Sequence, residues 1–185
     1  MPLPFIIAGA AIGALLVHDN EKKHLKRQDA SRHILSDGPM GREPSEIHPS
    51  EATTHMVAGS IVCCEVYEAF IHTGIVVDRD TIVELHGNGL IRAISAKRFL
   101  QKRSGKHIFI ACDNQGKPLI VDSAIEHAAA DVFNFYEYDL FTSNCYRHTW
   151  RWLAGEDRAI KSFESFNRLL SSLVNQPIYW DRVSR

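Results

Sequence analysis

The sequence predicts an α+β fold, and three observations carry that expectation. Residues 59–113 hold five short apolar runs of strand composition, separated by turn residues. Residues 119–174 then hold segments with helical spacing and recognisable start and stop signals. A run of strands followed by a run of helices is the pattern of an antiparallel sheet with helices segregated against it. The 185 residues are 45% hydrophobic and 23% charged, enough apolar side chain to build a core.

Taken in order, the chain opens on an uncharged run, LPFIIAGAAIGALLV at 3–17, followed by the strongly charged HDNEKKHLKR. No basic stretch precedes the run, as a secretory signal would require. Gly9 and Gly13 form a GxxxG spacing that lets helices approach in lipid. Fifteen residues is short of the ~17–25 needed for a full span. The run is therefore read as a membrane anchor or inserted hairpin over 1–20, with a buried helix as the alternative. Lys22, Lys23, Lys26 and Arg27 would then keep the following domain on the cytoplasmic side. Residues 21–54 are polar and contain Gly38, Pro39, Gly41, Pro44 and Pro49, the composition of a linker. The domain is expected over 55–185.

Within it, GSIVCCEVY (59–67), IHTGIVV (71–77), TIVELHG (81–87), GLIRAIS (89–95) and HIFIACD (107–113) are the predicted strands. Asn114-Gln115-Gly116-Lys117-Pro118 is a turn. SAIEHAAADVFNFY, NCYRHTWRWLAG and FESFNRLLSSLV are predicted helices, the second stopped by Gly155. Net charge is -1 and no basic footprint is present, which argues against a nucleic-acid partner. Cys63, Cys64, Cys112 and Cys145 are read as thiols, since a chain of this length does not need disulfide staples.

Chemistry enters at the hairpin of the second and third strands. If 78–80 form a three-residue loop, Val77 pairs with Thr81 and Ile75 with Val83. His72 then faces His86, and directly opposed residues share a sheet face. One imidazole could take a proton from a nucleophile while the other fixes its tautomer. Two rim histidines satisfied by water are the plainer reading of the pair alone. Cys145 supplies the nucleophile. It opens a predicted helix behind Ser143 and Asn144, either of which can cap it. A helix N-terminus favours thiolate and offers N–H groups to an oxyanion.

In order and spacing these segments resemble the lecithin retinol acyltransferase-like family, a circularly permuted branch of the NlpC-type, papain-like cysteine enzymes. The pieces are Gly59-Ser60-Ile61-Val62, His72-Thr73-Gly74-Ile75-Val76-Val77, Glu84-Leu85-His86-Gly87 and Asn144-Cys145-Tyr146-Arg147-His148, spread over about half the chain. The resemblance implies a permuted papain-like (NlpC-type) fold, an antiparallel sheet packed against helices. Here it would be preceded by the N-terminal apolar helix. It implies Cys145 as nucleophile, His72 as general base and His86 as the third polar member. Many relatives place Glu directly after Asn-Cys; this chain has Tyr146-Arg147 before His148, and His148 receives no catalytic role.

The expected activity is a thiol hydrolase or acyltransferase working through a Cys145 thioester. The membrane segment makes a lipid acyl ester the first substrate class. Peptide or isopeptide bonds are the alternative, and a non-catalytic, membrane-tethered binding module is a third reading. Asn144, Asn88 and Trp150 are the expected substrate contacts. Gly87-Asn88-Gly89 also reads as a plain turn, and Trp150, Trp152 and Phe141 as core packing. Neither paired CxxC nor HExxH occurs, so neither metal nor other cofactor is expected.

Overall fold

The computed structural model describes residues 53–67, 70–113 and 115–184. They form a mixed α+β fold. Seven strands make one sheet: β1 (Thr53–Thr54), β2 (Ile61–Val66), β3 (Phe70–Asp78), β4 (Thr81–Leu85), β5 (Ile91–Ser95), β6 (Phe109–Cys112) and β7 (Tyr179–Val183). Their order across the sheet is β1-β7-β6-β2-β3-β4-β5. Strands β2 to β7 pair antiparallel, and only β1 joins in parallel, along β7. Four helices accompany it: α1 (Ala96–Phe99), α2 (Asp122–Asp131), α3 (Cys145–Ala154) and α4 (Phe163–Val174).

The strand sequences reflect burial on both faces. Ile61 to Cys64 of β2 are all wholly buried, so the segment reads as a continuous apolar run rather than an alternation. On one face Ile61, Cys63, Ile75, Val83 and Leu85 pack with Trp152, Phe166 and Leu170 of the helices. On the other, Val62, Cys64, Val76 and Ile82 pack around Phe99 of α1. Thr73 Oγ1 and Thr149 Oγ1, 3.0 Å apart, tie β3 to α3. Gly74 permits the close approach of β4 to β3: a β-carbon there would lie 2.8 Å from both the Val83 oxygen and Ile82 Cγ2.

Several sequence expectations need correction. The β3–β4 turn is shorter than expected. Asp78 pairs with Thr81, and Val77 is the extra residue of a bulge. The bulge compensates for the shorter loop, and Ile75 still pairs with Val83. The helix read over 123–136 ends at Asp131. A turn at 132–133 follows, and the segment to Tyr136 lies beside β5, with Phe133 N–H donating to the Ile91 oxygen and Tyr136 N–H to the Gly89 oxygen. The sequence reading also lacks β7 and α1. Thr53–Thr54, expected to belong to the linker, instead pair along β7.

The expected membrane attachment is corrected as well. Among the described residues no helix is long and apolar enough to cross a membrane. The longest, α4, has 12 residues, well under the ~20 a spanning helix requires. The run 1–20 assigned to an anchor lies outside the described residues, as does most of the linker. The described structure therefore does not support a transmembrane helix, a membrane partner or a membrane-associated domain facing the cytoplasm.

Candidate active site

Cys145 is the first residue of α3. Asn144 caps the helix in extended conformation, its Oδ1 accepting from Arg147 N–H at 3.1 Å. The same side chain is 1% exposed, and its Nδ2 donates to the oxygens of Leu140 and Ile160, both at 2.8 Å. With all its polar atoms committed to backbone, Asn144 acts as the clamp that sets the helix start. The helix tip lands on β3. Tyr146 Oη donates to the Ile71 oxygen at 2.5 Å, and Cys145 Sγ lies 4.0 Å from that oxygen.

His72 sits on β3, opposite Cys64 of β2, and is 8% exposed. Its imidazole and the Cys145 thiol lie close enough for each to perturb the ionisation of the other. Burial opposes charge on Cys145, but the adjacent His72 imidazolium and the Thr73 N–H favour thiolate, and the thiol is held below its ordinary value. Burial likewise opposes the charge on His72, and the thiolate together with Glu84 outweighs it, raising the imidazole above its usual range. The two shifts are the two sides of one interaction, each group favouring the charged form of the other. The N-terminus of the ten-residue helix α3 adds a further bias toward thiolate.

The other ring nitrogen of His72 goes to a residue that the sequence reading did not single out. Nε2 donates to Glu84 Oε2 at 2.8 Å. A carboxylate can only accept, so this bond fixes the proton on Nε2 and leaves Nδ1 for the thiol. Glu84 is wholly buried. Burial alone would raise its carboxyl, but the His72 and Arg103 charges and hydrogen bonds bring it down to about 2. The signal lay in the strand alternation. Glu84 is a lone charge in an apolar run, on the same face as His72 and diagonal to it across the ladder, within reach of a long side chain.

His86 is elsewhere. It lies just past β4, half-buried, with Nδ1 2.7 Å from Asn88 Oδ1. Its N–H donates to the Leu90 oxygen and its own oxygen accepts from Gly89 N–H, so His86 and Asn88 build the turn into β5. Gly89 is required there: its φ is +93°, and a β-carbon would fall 2.0 Å from the Tyr136 oxygen. Trp150 is buried, with Nε1 donating to Glu156 Oε2 at 3.3 Å. Trp152 is buried too, while Phe141 and Leu140 are exposed.

Cys63, Cys64 and Cys112 are buried and, like Cys145, take part in no disulfide. Burial pushes Cys64 and Cys112 up to about 12, so these two do not ionise near neutrality. His148 is buried against Tyr136 and pushed down to about 4 by burial and by Arg151. Among the described residues no group of three or more His, Cys, Asp or Glu side chains is arranged to hold a metal ion.

Comparison with family models, curated proteins and solved structures returns no match to the chain.

Proposed function

We propose that this chain is a cysteine-dependent acyl hydrolase or acyltransferase with a permuted papain-like arrangement of sheet and helices. The observation that carries the proposal is the pairing of Cys145, at a helix tip, with an imidazole whose far nitrogen is fixed by a buried carboxylate. The Cys145 thiolate attacks the carbonyl carbon of an ester. As the tetrahedral adduct collapses, the carbon–oxygen bond breaks and the His72 imidazolium gives its proton to the departing alcohol. Water or an acceptor alcohol or amine then attacks the thioester. His72 takes the proton of that nucleophile, and thiolate leaves. Glu84 holds His72 throughout, the role that His86 was expected to fill.

The acyl donor proposed is a lipid acyl ester. Leu140 and Phe141, exposed apolar side chains just ahead of the helix cap, are of the kind that meets an acyl chain. The test is intact-mass and peptide-mapping spectrometry after exposure to a p-nitrophenyl acyl ester, a diacyl phospholipid and a peptide amide in parallel. A hydroxylamine-labile acyl group on Cys145, formed from the esters and absent in Cys145→Ala, is the expected result. Acylation from the peptide amide alone would move the substrate class to peptide or isopeptide bonds. Absence of any Cys145 adduct from all three donors would overturn the enzymatic reading and leave a binding module.

A further inference from the structure

Glu84 is itself gripped from two sides. Arg92, on the neighbouring strand β5, approaches Oε1 with Nε at 2.7 Å and Nη2 at 2.6 Å. Arg103, from the loop after α1, donates Nη2 to Oε2 at 2.6 Å, the oxygen that also accepts from His72. The Arg103 side chain is 9% exposed. Its guanidinium stacks over the Phe99 ring at 4.7 Å, and Nη1 donates to the Phe99 oxygen and lies 3.7 Å from Cys64 Sγ. Phe99 in turn lies against His72, with ring centroids 5.4 Å apart.

We infer that Arg103 is a positioning residue for the acyl-transfer reaction, dividing the Glu84 carboxylate with His72 and so setting how strongly His72 holds its proton. The inference rests on the proposed Cys145–His72 chemistry and adds the residue that tunes it. A carboxylate alone beside an imidazolium holds the proton tightly and makes His72 a poor general acid. Two guanidiniums drain that carboxylate, and the ring is free to release its proton to a leaving group. The charged and titratable groups around His72 are Cys145 of α3, Glu84 of β4, Arg92 of β5, Arg103, the Cys64 thiol of β2, and Tyr138 of the segment before α3. Cys64 stays neutral at working pH, and burial together with the Cys145 charge raises the Tyr138 phenol, so neither contributes charge. The balance is left to Cys145, Glu84 and the two arginines.

The experiment is an NMR titration of the His72 ring in the full chain, with iodoacetamide alkylation of Cys145 followed across pH. Arg103→Gln removes a positive charge and returns carboxylate to His72, so the His72 pKa rises by about one pH unit. Glu84→Gln removes the negative charge, and the His72 pKa falls by about the same amount. Arg103→Lys restores most of the wild-type value. Arg92→Gln, at a more exposed position, moves the ring in the same direction as Arg103→Gln and keeps the test alive if the latter does not fold. A purely structural Arg103 would lower stability without moving the His72 titration, and that outcome overturns the inference. An iodoacetamide-unreactive Cys145 in the wild-type chain would instead overturn the catalytic reading on which it rests.

Discussion

At the scale of single residues, Glu84, to which the sequence assigned no role, bonds the His72 ring where His86 was expected. Glu84 and His86 lie on the third strand's run, two positions apart, and the sequence reading chose the directly opposed pair over the diagonal one. Register alone cannot separate the two. Side-chain length and burial do: Glu84 reaches across the ladder to Nε2 of His72, while the imidazole of His86 turns back to Asn88. His86→Ala is therefore expected to leave the neutral-pH alkylation rate of Cys145 within about twofold of wild type. His72→Ala removes the imidazolium that favours thiolate, and the same rate should fall at least tenfold, the effect of a thiol pKa about one unit or more higher. Both are read from iodoacetamide kinetics with mass detection, and a large effect of His86→Ala would restore it to the site. Cys145, Asn144 and His72 were legible because their surroundings announce a role: a cap before a helix, a histidine in an apolar strand. The arginines were not, since nothing in the sequence says which basic side chains of 92–106 turn inward.

Among the elements, helix α3 shows how one cap governs the site. Asn144 fixes the first turn and closes the backbone groups of Leu140 and Ile160. Asn144→Ala loses the cap and leaves the buried Ile160 carbonyl and the partly buried Leu140 carbonyl without it, at a cost of about 2–3 kcal/mol. Urea unfolding measures that loss, and a change below about 1 kcal/mol would show the clamp to be dispensable. Gly74→Ala drives a β-carbon against the Val83 oxygen, which cannot move without shifting β4, so about 1–3 kcal/mol is expected from the same measurement. The strands β2 to β6 and the helices α3 and α4 were readable from composition and caps. The end of α2 was not. Asp131 stops it by gathering Asn134 Nδ2, Tyr136 Oη, Trp152 Nε1 and Arg151 around its carboxylate, a tertiary cluster that overrides the local helical pattern. Strand β7 was missed because YWDRV alternates weakly and follows Pro177; pairing with β6, and the Trp180 Nε1 bond to Asn167 Oδ1 at 2.8 Å, make it a strand.

For the molecule as a whole, buried ionisable groups set the response to acid. His148 takes its proton near 6.5 when unfolded but only near 4 when folded. The unfolded chain thus binds more protons between those values, and stability falls as pH drops through that window. Glu84 has the depressed carboxyl of a paired acid, so its contribution is complete above about 4.5 and is lost as pH falls toward 2. That second loss is on the order of 3 kcal/mol. Urea midpoints should therefore decline in two stages on acidification. His148→Phe should flatten the first stage, and since His148 Nδ1 has no partner, it should cost little at pH 7. A first stage unchanged in that variant would assign it to another group.

The place of β7 between β1 and β6 has a consequence for how the chain comes to be folded. Until residues 179–183 have left the ribosome, β6 presents Phe109 to Cys112, four fully buried residues, as an open edge. Such an edge invites pairing with another nascent copy. Polypeptides interrupted shortly after residue 175 should accordingly accumulate as insoluble material or on chaperones, even though every residue of the Cys145–His72–Glu84 constellation has already been synthesised.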